Sequence, residues 1–128
     1  MKKGFVLIIT ALVFTGLIFG SASFAADPDL AAKSHLQKIQ KRGELRVGFE
    51  SGYVPFEMTD KKGNFIGFDM DFGRRLAKEM KVKFVPVNTA WDGIIPSLMT
   101  DKFDIIMGGM TITQERNLSI QFADPYIV

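Results

Sequence analysis

Three short β-rich apolar runs, residues 45–49, 82–87 and 103–107, are separated by stretches whose apolar residues recur at helical spacing. This alternation constrains the fold more than any other feature. Parallel strands cannot be joined by a tight turn, and an intervening helix supplies the crossover that they need. The chain is therefore expected to form an α/β domain with a mostly parallel, doubly wound sheet. In open sheets of that kind ligands bind outside the carboxyl ends of the strands. The loops after the three runs are where a site is to be sought.

The connecting stretches can be read one by one. Residues 26–42 are polar, with Leu36 and Ile39 three apart, which predicts a short helix ended by Gly43. His35 lies in it without ligand-like neighbours, so it reads as a surface residue, and no metal-binding cluster appears in the sequence. Residues 56–58 and 65–66 flank T-D-K-K-G-N, the composition of a hairpin turn. In G-F-D-M-D-F-G-R-R-L-A-K-E-M, the residues Phe68, Phe72, Leu76 and Met80 recur every fourth position and form one stripe of an amphipathic helix. Asp69 and Asp71 belong near its N-terminus, where the helix dipole favours acids. Two carboxylates two residues apart on a helix point in different directions, which argues against an acid/base pair there. Residues 89–100 read as a helix in which Pro96 is expected within the first turn or so, placing Trp91 at or just before its start. Residues 119–122 are a further short apolar segment.

The third run stops at Gly108 and Gly109. Glycine lacks a Cβ, so a ligand can approach the backbone N–H and C=O groups of such a corner closely. Thr111 adds a hydroxyl and Arg116 a planar guanidinium that can grip a carboxylate with two parallel hydrogen bonds. The corner suits a small carboxylate. The same residues are also compatible with a plain turn at Gly109, a helix capped by Thr113 with Glu115 in its first turn, and a solvated Arg116. After the first run comes E-S-G-Y-V-P-F-E, where Gly52 and Pro55 force a loop. Glu50 sits at the strand end, and Tyr53 and Phe56 either wall a site or plug the top of the core. A parallel sheet brings this loop, Trp91 and the glycine corner to one edge, where they can form one site.

The first 25 residues have a basic start (Lys2, Lys3), an apolar stretch and a small-residue Ser23-Phe24-Ala25 site ahead of Ala26. This is the pattern of a cleaved Sec-type secretory signal peptide, and it implies a periplasmic protein. An uncleaved membrane anchor is the rival reading. The chain has no Cys, hence no disulfide in an oxidising compartment. Without Lys2 and Lys3 the 16 basic residues fall to 14 and balance the 14 acidic ones. No nucleic-acid footprint remains.

Several ordered motifs over residues 39–126 resemble the bacterial extracellular solute-binding proteins of family 3, the polar-amino-acid-binding components of ABC importers. They are K-R-G-E-L-R-V-G; Gly67-Phe68-Asp69-Met70-Asp71-Phe72 with Leu76-Ala77 and Met80 at the family's spacing; W-D-G-I-I-P-S-L; and G-M-T-I-T-Q-E-R-x-x-x-I-x-F-A-D-P-Y. The resemblance implies two α/β lobes that close over an amino acid and hand it to a membrane permease, with no cofactor and no chemistry. By motif position, Arg116 would bind the ligand α-carboxylate with help from Thr111, and the Gly109 carbonyl would take the α-amino group. Tyr53 and Trp91 would sandwich the side chain, and Glu50 matches a position that is often acidic. The residue pattern gives a signal peptide (1–25) and a polar segment with a short helix (26–43), and the resemblance implies that the remainder is a partial first lobe (44–128). Val128 falls where the family crosses to its second lobe. The expectation is therefore a fragment that lacks the second lobe and the C-terminal return of the first, leaves a strand edge unpaired and binds weakly if at all. Two other functions fit the same motifs. One is a cyclohexadienyl dehydratase-like enzyme, for which no general acid stands out in the sequence. The other is a sensor kinase or a lytic transglycosylase that carries this domain.

Overall fold

The computed structural model describes residues 34–127. The expected signal peptide and residues 26–33 lie outside the described residues. Helix α1 (His35–Arg42) ends at Gly43, whose φ of 74° is the left-handed conformation glycine adopts without strain, and its N–H bonds to the Ile39 and Gln40 carbonyls. Strand β1 (Glu44–Phe49) follows at once. A two-stranded antiparallel hairpin comes next, β2 (Met58–Thr59) and β3 (Phe65–Ile66). Its turn is fixed by Asp60, whose carboxylate accepts from the Lys62 and Asn64 N–H groups at 2.7 and 2.8 Å.

The main sheet contains β1, β4 (Lys83–Asn88) and β5 (Ile105–Ile106) in the order β4-β1-β5, all parallel. Strand β1 pairs with β4 from Glu44↔Lys83 to Phe49↔Asn88 and with β5 at Val47↔Ile105 and Gly48↔Ile106. The third run predicts a longer strand than β5. Hydrogen bonds from Asp104 N–H to Arg46 O and from Met107 N–H to Gly48 O extend the pairing over residues 104–107, although regular ladder geometry covers two residues.

From β1 the chain crosses through α2 (Phe68–Glu79) to β4, and from there through α3 (Trp91–Met99) past β1 to β5. Two crossovers running in opposite directions wind the sheet doubly, as the alternation of runs predicted. Leu45 and Val47 share one face of β1 and pack with Ile39 of α1, Ala77 of α2 and Met107. On the other face Gly48 leaves room for the Phe103 ring: a Cβ there would lie 2.4 Å from it.

Two features of the helices differ from the sequence reading. The four-residue stripe on α2 meets the core only in its C-terminal half, where Leu76 and Met80 pack against the buried cluster. Met70, Gly73 and Ala77 are buried, whereas Phe68 and Phe72 are 47% and 39% exposed and stack against Tyr126. Residues four apart on a helix of 3.6 residues per turn drift by about 40° per step, so the stripe winds off the core face towards its N-terminal end; at Gly73 the missing Cβ lets the Phe84 ring close on the helix. Pro96 is the sixth residue of α3 and not in its first turn. Both Pro96 and Asp92, whose carbonyl loses the bond, are exposed, so water can solvate that carbonyl.

Candidate ligand-binding site

The strand order reverses its winding between β1 and β5, and loops leaving the carboxyl ends of strands on either side of such a point diverge to leave a crevice. An open depression of about 510 Å³ lies there, lined by Glu50, Ser51, Gly52, Tyr53, Glu57, Trp91, Gly108 and Gly109. Each lining residue follows β1, β4 or β5, so the sheet itself brings them together.

The loops are fastened by specific bonds. Thr89 N–H continues the ladder to Phe49 O at 2.8 Å, and Ser51 N–H donates to Asn88 Oδ1 at 2.9 Å, tying the loop after β1 to the end of β4. Glu50 Oε1 then accepts the Trp91 N–H at 3.0 Å. Trp91 is the first residue of α3, and a carboxylate bonding an otherwise unpaired N–H at a helix start is favoured by geometry and by the dipole. The Arg116 guanidinium sits 5.6 Å from the centroid of the Trp91 ring, and its Nη1 donates to Thr111 O at 2.8 Å. Helix α4 (Gln114–Asn117) positions Arg116: the Thr113 side chain accepts the Arg116 N–H at 3.2 Å, the cap that the sequence suggested. Gly109 has φ 59°, and a Cβ there would stand 2.6 Å from the Tyr53 ring. Tyr53 stacks on Phe56 with centroids 5.3 Å apart and remains 55% exposed.

The six residues singled out from the sequence thus form one connected group. Glu50, Trp91, Arg116 and Thr111 are linked in series, and Tyr53 rests against Gly109. Four of them line the depression, while Thr111 and Arg116 stand beside it against Trp91. Phe56 backs Tyr53 rather than lining the depression. Among the described residues no cluster of side chains could hold a metal ion.

One lining residue escaped the sequence reading. Glu57 is buried, and burial together with the Asp69 carboxyl pushes it up to about 8. Asp69 is buried as well, while Asp71 is exposed, so the two acids of α2 do diverge; the acid that Asp69 meets comes from a distant loop. Only the P-F-E placement of Glu57 between two aromatic-rich segments could have hinted at its burial.

The parallel sheet, the crossover helices and the depression at the switch point define an α/β lobe of the periplasmic-binding-protein type. The chain belongs to the bacterial extracellular solute-binding proteins, family 3, which it matches over residues 45–128. It is 35% identical over 127 residues to the cyclohexadienyl dehydratase of Pseudomonas aeruginosa, covering 99% of this chain and 45% of that protein. It is 36% identical over 124 residues to the lysine/arginine/ornithine-binding periplasmic protein of Escherichia coli, covering 97% of this chain and 41% of that one. The chain therefore spans under half the length of these curated relatives. Among solved structures, an ancestral cationic amino acid solute-binding protein superposes with a TM-score of 0.72 at 55% identity, over 73% of this chain and 41% of that one. The arginine-bound form of domain 1 from TmArgBP superposes with a TM-score of 0.68 at 45% identity, over 70% of this chain and 71% of that one.

Proposed function

We propose that this chain carries the first lobe of a periplasmic binding protein that captures an amino acid with a cationic side chain and delivers it to an ABC-type permease. The observation that carries the reading is that Trp91, which lines the depression, has its backbone N–H held by the Glu50 carboxylate and its ring stacked by the Arg116 guanidinium. In this reading Arg116 exchanges its stacking on Trp91 for two charge-assisted bonds to the ligand carboxylate, with Thr111 steadying it. The Gly109 carbonyl takes the α-amino group. The side chain lies between Tyr53 and Trp91, where a guanidinium or ammonium group gains from the aromatic faces. Glu50 has committed one oxygen to Trp91, and its other oxygen has no partner among the described residues. An acid there favours a cationic side chain over a neutral one. The relatives named for lysine, arginine and ornithine, and for cationic amino acids, support this choice.

The sequence alone suggested that a half-site binds weakly if at all. The arginine-bound domain 1 of TmArgBP is a single lobe, and it supports measurable binding by this stretch without a second one. Calorimetric titration of the chain with arginine, lysine, histidine and glutamine tests the reading. Binding of arginine or lysine in preference to glutamine is expected, and no binding of any of the four would overturn it.

A second reading is an enzyme of the dehydratase kind. The similarity to cyclohexadienyl dehydratase and a buried, proton-retaining Glu57 on the wall of the depression favour it. Turnover of prephenate or arogenate, absent in Glu57→Gln, would decide for it.

A further inference from the structure

Glu57, Asp69 and Tyr126 come from three separate parts of the chain and meet beside the depression. Glu57 and Asp69 are each 1% exposed, and Tyr126 donates its hydroxyl to Asp69 Oδ1 at 2.8 Å. One oxygen of each acid, Glu57 Oε2 and Asp69 Oδ2, has no donor among the described residues. A buried acceptor without a donor is unfavourable, and two adjoining carboxylates without one repel each other besides. No Lys, Arg or His forms an ion pair with either acid among the described residues. From α2 Asp69 faces Glu57; from the terminal segment Tyr126 faces Asp69; from the corner after β5 only Gly108 approaches, and Glu50 shares the depression. A proton carried by one of the two acids would supply the missing donor.

The surrounding backbone shows what such a proton would hold. Glu57 and Tyr53 bridge each other through their backbones, so Glu57 anchors the loop that carries the Tyr53 ring. The same loop gives the Pro55 and Phe56 carbonyls to the first N–H groups of α2, from Phe68 and Asp69. Tyr126 belongs to the segment after the Arg116 corner and stacks on Phe72 with centroids 4.9 Å apart.

We propose that Glu57 and Asp69 hold one proton between them, and that this shared proton fastens the site loop to α2 and, through Tyr126, to the segment that follows Arg116. Glu57 is then a positioning residue for the Tyr53 wall. The loop, the helix and the trailing segment move as one unit while the proton is present and separate when it is lost.

Burial and Asp69 raise Glu57 from an ordinary value of 4.5 to about 8, and burial with both acids raises the Tyr126 hydroxyl. The folded chain keeps the Glu57 proton to higher pH than the unfolded chain does. Its contribution to stability is complete below the unfolded value and is lost as pH rises towards the folded one.

Unfolding of the full chain by denaturant, measured between about pH 5 and pH 9, tests the proposal. For one retained proton the unfolding equilibrium rises by up to about tenfold per pH unit across that window. In Glu57→Gln the neutral amide donates to Asp69 at every pH, so that part of the slope is expected to vanish. Glu57→Ala removes the donor and is expected to be less stable than Glu57→Gln at about pH 6. Equal slopes for the wild type and Glu57→Gln would overturn the proposal. If the Gln variant does not fold, infrared difference spectra of the wild type supply the second test. A protonated-carboxyl C=O band present at about pH 6.5 and gone by about pH 9.5 supports the shared proton, and its absence at the lower pH overturns it. Neither measurement needs a bound amino acid, so failure here is separable from failure of the binding reading on which the positioning role rests.

Discussion

The Arg116 guanidinium lies 5.6 Å from the centroid of the Trp91 ring, and the Trp91 backbone N–H is held by Glu50. One residue thus separates the basic and the acidic groups of the site and keeps each in place. Stacking of a partly exposed guanidinium on an indole contributes roughly 0.5–1 kcal/mol, rising to about 2 when desolvated. Charge-assisted hydrogen bonds contribute more, about 1.5–3 kcal/mol each. Arg116 is therefore parked on Trp91 by an interaction weak enough for a carboxylate to displace.

Removing that guanidinium tests the displacement. Arg116→Ala should weaken arginine binding by at least about 100-fold, equivalent to roughly 3 kcal/mol, in calorimetric titration. The melting temperature should hardly change, because Arg116 is only partly buried and bonds a single loop carbonyl. Retained affinity would remove the carboxylate clamp from the proposal.

Trp91→Leu keeps the backbone N–H that Glu50 holds but removes the flat face. A weakening of about tenfold is expected for arginine and less for glutamine, since the cation–π part is lost only for the former. An equal loss for both ligands would place the cationic side chain elsewhere.

At Gly109 a side chain is opposed twice, by φ 59° and by the Tyr53 ring, which would lie 2.6 Å from a Cβ at that position. Gly109→Ala should destabilise the fold by about 1–2 kcal/mol through the left-handed backbone. It should also push Tyr53 aside, so binding falls together with stability. Thermal melts and titrations on the same sample separate the two effects.

Gly48→Ala is the contrasting case, because its backbone is ordinary and the obstacle is the buried Phe103 ring. Overpacking there should cost about 1–3 kcal/mol in denaturant unfolding. A variant that still folds should bind as the wild type does, since neither residue lines the depression.

Much of this fold was legible because it follows from local periodicity. The runs at residues 45–49 and 82–87 became β1 and β4 within a residue or two, Gly43 closed α1 in the left-handed conformation, and Thr113 capped α4. Where the structure departs from that reading, helix geometry and exposure account for it. On α2 the every-fourth stripe drifts about 40° per step round the helix, so Leu76 and Met80 reach the core while Phe68 and Phe72 do not, and Met70, Gly73 and Ala77 are buried instead, Gly73 against the Phe84 ring. Pro96 sits in the second turn of α3 because its carbonyl partner faces water, which no local pattern reveals.

The candidate site divides in the same way. The alternation of strands and helices, the glycine corner and the loops that end at one edge are written in local sequence, because propensity and turn chemistry act over a few residues and crossover handedness over one strand–helix–strand unit. Long-range packing alone brings the Glu50 carboxylate to the Trp91 N–H and the Arg116 guanidinium to its ring, and brings Glu57 to Asp69 in a buried contact that Tyr126 closes. Glu57 and Asp69 are 12 positions apart and Asp69 and Tyr126 57 apart, and burial of a carboxyl depends on what the rest of the chain packs over it.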